Sequence, residues 1–156
     1  MAVWQCSVVF IPKLWAVENR YDPTSLYDAD GYYDTTTAWK ENQPHPEFIN
    51  KLSSVLSPAK SWDKDLLFWG NEKENDIQVW YENKLVDGIH IRLDLNKNLY
   101  ELIAKLIKIA NELDCIFFFP EQRIFTEANE IEFKKTLKNS RAAKFVIDPE
   151  EFLKDL

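Results

Sequence analysis

Alternation of apolar and polar residues picks out the first element of the chain. In residues 3–11, VWQCSVVFI, Trp4, Cys6, Val8 and Phe10 share one face while Gln5 and Ser7 share the other, the period of a half-buried strand. Ile77, Val79 and Tyr81 alternate in the same way with Gln78, Trp80 and Glu82, and Ile89, Ile91, Leu93 and Leu95 alternate with His90, Arg92 and Asp94. These two runs form the clearest hairpin of the chain. A loop over about residues 83–87 pairs Tyr81 with Ile89, Val79 with Ile91 and Ile77 with Leu93, which sets Trp80 opposite His90 and Gln78 opposite Arg92. A two-residue turn at Asp87-Gly88 would instead mix apolar and polar faces. Residues 115–119, CIFFF, closed by Pro120, suit a short strand covered on both sides.

Helical spacing takes over elsewhere. Phe48, Ile49, Leu52, Val55 and Leu56 follow Pro46 and stop at Ser57-Pro58. Asn98 can cap a helix whose stripe is Leu99, Leu102, Ile103, Leu106, Ile107, Ala110 and Leu113. A further helix over about residues 127–138 carries Ile131, Phe133 and Leu137, and the tail closes with Phe145-Val146-Ile147 and a last helical turn at 149–156. Residues 60–75 read as a connector holding Trp62, Phe68 and Trp69-Gly70. The order strand, helix, strand, strand, helix, strand predicts an α+β fold: an antiparallel sheet with helices on one face, in a ferredoxin-like β-α-β-β-α-β arrangement with an extra C-terminal helix. Repeats, low-complexity stretches and linker signals are missing, so residues 1–156 read as a single domain.

Residues 15–46 break the pattern. Aliphatics are few there, while Tyr21, Tyr27, Tyr32, Tyr33 and Trp39 stand among Glu18, Asp22, Asp28, Asp30, Asp34 and Glu41, with Arg20 and Lys40 as the bases. The segment reads as a long acidic aromatic loop. Burying it would place Asp28, Asp30 and Asp34 in a low-dielectric interior at a cost of several kcal/mol each, so these carboxylates are expected to face water. Leaving Tyr32, Tyr33 and Trp39 exposed without use is also unfavourable. A basic protein partner resolves both tensions.

Charge points the same way. With 26 acids against 19 bases the net charge is -7, a field that repels phosphate backbones and anionic membranes. Nucleic acid and membrane are therefore not expected as partners. Residues 1–10 lack the basic start and apolar run of a signal peptide, and no run approaches a membrane span, so a cytoplasmic location is expected. Cys6 and Cys115, each inside an apolar run, read as buried free thiols.

Specific catalytic patterns are lacking. Asp28-Ala29-Asp30-Gly31 has the look of a calcium loop, but an EF-hand places glycine sixth and a bidentate Glu twelfth, where this chain has Gly31 fourth and Trp39 twelfth. His45 and His90 are the only histidines, and with Gly31, Gly70 and Gly88 the only glycines no phosphate-cradling loop can be written. No metal or cofactor is expected. The one constellation with chemical range is the polar hairpin face of Trp80, His90 and Arg92, with Asp94 one pleat further, where an imidazole, a guanidinium and a carboxylate on one sheet surface could bind an anion or move a proton. A solvated sheet face would look the same.

Ser61-Trp62, Trp69-Gly70, the strand Ile91-Arg92-Leu93-Asp94-Leu95 and the ending from Ser140-Arg141-Ala142-Ala143-Lys144-Phe145 to Phe152-Leu153 resemble a family of small uncharacterised bacterial proteins. Similar small acidic proteins include the immunity partners of bacterial polymorphic toxins. The likeness covers roughly the second two-thirds of the chain and implies a cytoplasmic, non-enzymatic role. The leading expectation is thus a protein-binding protein, an immunity protein that occludes a basic toxin domain through Asp28, Asp30, Tyr32, Tyr33, Asp34 and Trp39. The alternatives are a small enzyme or small-molecule binder using Trp80, His90 and Arg92, and a structural subunit without a ligand.

Overall fold

In the computed structural model, which describes residues 1–147, the alternating segments join one seven-stranded sheet. Its strands are β1 (Gln5–Pro12), β2 (Pro58–Ala59), β3 (Leu66–Gly70), β4 (Asp76–Glu82), β5 (Leu85–Asp94), β6 (Cys115–Phe119) and β7 (Ile124–Thr126). They lie in the spatial order β2-β3-β4-β5-β1-β6-β7, every neighbouring pair antiparallel. The helices are α1 (Lys13–Glu18), α2 (Thr36–Lys40), α3 (Phe48–Ser53), α4 (Tyr100–Glu112), α5 (Glu130–Lys138) and α6 (Arg141–Ile147), with one 3-10 turn at Thr24–Leu26. This is an α+β fold. The three strands legible from alternation and the fourth legible from its continuous apolar run form its centre, β4-β5-β1-β6, the order in which two interleaved β-α-β units lie. The expected last turn at 149–156 falls outside the described residues.

Both faces of the centre are covered, and the sequence accounts for it. Cys6, Val8 and Phe10 of β1 and Phe117 and Phe119 of β6 point to one side, where they meet Ile103, Leu106, Ile109 and Phe133 from α4 and α5. Val9 and Ile11 with Ile116 and Phe118 point to the other, where Trp15 and Ala16 of α1 and Leu26 close a smaller second core. Strands buried on both sides carry near-continuous apolar runs, as VVFI and CIFFF do. Asn129 caps α5, its Oδ1 accepting the Glu132 N–H at 2.9 Å, whereas the cap position of α4 is Leu99 and the expected cap Asn98 lies one residue earlier, its Oδ1 accepting the Tyr100 N–H at 3.1 Å. The expectation of helices on one face thus describes α3 to α6, while the short α1 adds a partial layer opposite.

Three findings correct the sequence reading in detail. The connector at 60–75 contains β3, whose Leu66 and Phe68 face one side while Trp69 is buried on the other, so alternation is lost. The segment 15–46 is only partly irregular: it holds most of α1, the 3-10 turn and α2. The hairpin turns at Asn83-Lys84, both with positive φ (51° and 67°), in place of a loop over 83–87. A two-residue turn with both φ positive matches the strand twist. Pairing then runs Glu82 with Leu85 and Tyr81 with Val86, but Trp80 with Gly88, leaving Asp87 as a bulge. Consequently Trp80 does not face His90: Gln78 does, and Arg92 faces Asp76.

Both cysteines are buried thiols, and they are not neighbours. Cys6 pairs with Leu93 at one end of β1, while Cys115 pairs with Pro12 at the other, a separation along the strand of roughly 20 Å. Burial, with the Glu121 charge adding to it, pushes the Cys6 thiol up to about 12. Burial also raises the Cys115 thiol.

Candidate functional site

The acidic segment is held in one shape by bonds that its composition does not advertise. Tyr27 and Tyr33 form an antiparallel bridge, and Asp28 Oδ1 accepts the N–H groups of Asp30 (2.9 Å) and Tyr32 (3.0 Å) across Gly31, whose φ is 84°. Asp34 Oδ1 accepts the Thr36 N–H at 2.8 Å and the Thr36 hydroxyl at 2.6 Å at the start of α2. The loop is then tied to the sheet. Tyr27 O–H donates to the Pro120 carbonyl (2.7 Å), Thr35 O–H to the Asp87 carbonyl (2.7 Å), and Tyr33 Oη lies 3.2 Å from His90 Nδ1. Further along, Gln43 bonds both backbone groups of Val86: its Nε2 donates to the carbonyl at 2.9 Å and its Oε1 accepts the N–H at 2.8 Å.

This framework sorts the expected partner-facing residues. Asp28, Asp30 and Asp34 are exposed, and Tyr32 projects from the loop at 74% exposure. Tyr33 is half-buried, its ring edge-on to Phe118 at 5.6 Å. Trp39 is the correction: at 1% exposure it belongs to the main core with Phe48 and Leu52 and presents no surface. The one-turn helix α2 rotates Trp39 inward while Thr37 and Lys40 on either side stay exposed.

Carboxylates from other segments add to the loop's field. Asp87, the bulged residue of β5, has its carboxyl pushed up by partial burial first, then by the charges of Asp34, Glu82 and Asp65. Three segments distant in sequence, at Asp34, at Asp65 and in the β4–β5 hairpin, therefore contribute to one acidic field. The sequence signals for the added members were slight. Asp87-Gly88 has the composition of a turn, and Asp65 is one of 26 acidic residues with no pattern to mark it.

The polar sheet face forms a second, open concavity of about 300 Å³, lined by Trp80, His90, Arg92, Gln78, Asp76 and Tyr33 among others. Several of its polar groups are engaged with one another. The fully buried Asp76 carboxylate accepts from Arg92 Nε at 2.8 Å and also from Arg92 Nη2, and burial pushes its carboxyl up against the opposing pull of Arg92. Trp80 Nε1 donates to Gln78 Oε1 at 3.1 Å. The His90 ring lies against Gly88, where an added Cβ would stand 2.4 Å from Nε2, and burial lowers its pKa to about 4, outweighing the nearby Asp34 charge. At neutral pH His90 is an uncharged, packed imidazole. The structure thus gathers Trp80, His90 and Arg92 on one face, but each is occupied by a neighbour.

Among the described residues no group of three or more His, Cys, Asp or Glu is arranged to hold a metal ion, and no helix is long and apolar enough to cross a membrane. Comparison of the chain with protein-family models, with curated proteins and with solved structures finds no match.

Proposed function

We propose that this chain is a non-enzymatic protein-binding protein that occludes a basic partner with its acidic loop surface, in the manner of an immunity protein acting on a toxin domain. The observation that carries the reading is the hydrogen-bonded presentation of exposed Asp28, Asp30 and Asp34 on the loop from which Tyr32 projects, with Asp34 adding to the field of Asp65, Glu82 and Asp87. A loop held by its own hydrogen bonds loses little conformational entropy on binding, and carboxylates around an exposed ring steer a basic surface and then supply contact area. Tyr33 and Trp39 serve this surface from behind, as anchors of the loop and of α2. The net charge of -7 and the sequence resemblance support the same class of partner. The Trp80, His90 and Arg92 face supports the fold in this reading, since Trp80 Nε1 is bonded to Gln78, His90 Nδ1 lies against the Tyr33 hydroxyl, Arg92 is paired with the buried Asp76, and burial keeps His90 uncharged at neutral pH.

A pull-down from the organism that encodes the chain tests the proposal, with wild type and an Asp28→Lys, Asp30→Lys, Asp34→Lys variant as parallel baits. Wild type is expected to retain a basic protein that elutes with rising salt and that the variant does not retain. Equal retention by both baits, or a partner without basic character, overturns it.

A further inference from the structure

A larger concavity of about 500 Å³ lies beside the sheet-face groove, between the acidic loop, the N-terminal residues and the turn from β6 to β7. Much of its wall is carbon: Val3, Pro120, Ala142 and the rings of Tyr27 and Tyr33. Arg123 lines the same space, with its guanidinium carbon 4.2 Å from the Tyr27 ring centroid. That placement is built into the backbone. Arg123 has a left-handed φ of 56° in the β6–β7 turn, and the same turn supplies the Pro120 carbonyl that fixes the Tyr27 hydroxyl at 2.7 Å. The turn therefore positions both the cation and its aromatic platform.

Charge makes the site unusual for this chain. Of the four arginines, Arg20, Arg92, Arg123 and Arg141, the last three line this concavity or the adjoining sheet-face groove, and among the described residues no lysine lines either. Arg92 is paired with Asp76 and Arg141 with Glu121, whereas among the described residues Arg123 forms no ion pair. A guanidinium stacked on an aromatic ring keeps its planar N–H fork free for a carboxylate, and stacking reduces the freedom lost when that bond forms. An apolar space of 300–1,000 Å³ with a few placed polar groups is the usual form of a small-molecule site.

We propose that this concavity binds a small organic acid, its carboxylate on the Arg123 guanidinium and its planar apolar body along the Tyr27 and Tyr33 rings. Glu121 on the same wall and the net charge of -7 oppose a doubly charged head, so a single carboxylate is favoured over a phosphate. The site is separate from the protein-binding reading and stands or falls without it.

Titration of the full chain with benzoate, indole-3-acetate, phenyl phosphate and acetate, followed by amide chemical shifts, tests it. Indole-3-acetate or benzoate is expected to saturate and to shift Val3, Gly31 and Glu121, with phenyl phosphate and acetate weaker. Arg123→Gln should weaken binding about tenfold or more, Val3→Trp should block it by filling the space, and Arg20→Gln should leave it unchanged. Thermal unfolding of each variant confirms that it is folded, and Arg123→Gln decides alone if Val3→Trp is not. Failure of both aryl carboxylates to saturate by about 10 mM, tighter binding of phenyl phosphate, or affinity unchanged in Arg123→Gln would each overturn the proposal.

Discussion

The hydroxyl of Tyr33 lies 3.2 Å from Nδ1 of His90, joining the end of the acidic loop to the middle of β5. The bond sits over Phe118, so both partners are partly withdrawn from water. Its pH dependence follows from burial. Folded His90 takes up its proton at about pH 4, against 6.5 for the ordinary group. Between these values the unfolded chain holds more protons, so stability rises with pH across that window and is lost as pH falls through it. The contribution is on the order of 1–3 kcal/mol. Chemical denaturation at stepped pH should show this slope in wild type and a flatter curve in His90→Gln. An identical slope in both would assign it to carboxylates instead.

Gly88 is the seat of that imidazole. A Cβ there would stand 2.4 Å from His90 Nε2 and 3.0 Å from Thr35 Oγ1, so alanine forces the ring or the loop to move. Gly88→Ala should destabilise the fold by about 1–3 kcal/mol, the usual range for overpacking. In a His90→Ala background the same substitution should cost much less. Additive penalties in the double mutant would mean that the ring is not the obstacle.

The pair Arg92 and Asp76 gives an asymmetric prediction. Asp76 is fully buried and the Arg92 side chain is 20% exposed, so removing the guanidinium strands a charge that has no access to water. Arg92→Met should therefore cost about 3–5 kcal/mol, more than Asp76→Asn, because the orphaned Arg92 still reaches solvent. Replacing both together should cost less than Arg92→Met alone. Urea titrations of the three variants check the ranking.

The limits of legibility have physical causes visible in these residues. Helix α4 could be read because its apolar stripe repeats with the helical period and Asn98 marks its start. The hairpin register could not, because the observed pairing of Ile77 with Ile91 differs by two residues from pairing with Leu93, and a two-residue shift leaves both faces intact. What decides it is the turn at Asn83-Lys84 and the bulge at Asp87, and neither alters the alternation of the flanking strands. The segment 15–46 looked loose since its restraints join residues far apart in the chain, Tyr27 with Pro120, Thr35 with Asp87 and Gln43 with Val86. Such bonds have no period. Of the acidic surface, Asp28, Asp30 and Asp34 were legible from the carboxylate argument, whereas Trp39 was misplaced because its acidic surroundings conceal a helical turn that points inward.

The proposed partner surface separates into residues that steer, grip and support, and each should leave a different trace. Asp28, Asp30 and Asp34 are exposed, so their charges act on the encounter; reversing them should slow association and weaken its salt dependence. Tyr32 projects into solvent at 74% exposure, and its truncation to alanine should mainly speed dissociation, as loss of an aromatic anchor does. Trp39 packs in the core with Phe48 and Leu52, so Trp39→Ala should cost about 3–5 kcal/mol of stability. At matched folded concentration it should leave the association rate nearly unchanged. Stopped-flow association at two salt concentrations, paired with urea denaturation of each variant, resolves the three behaviours. A Tyr32→Ala variant that binds and releases the partner like wild type would remove the loop from the interface, since no other large aromatic of residues 28–34 projects freely from it.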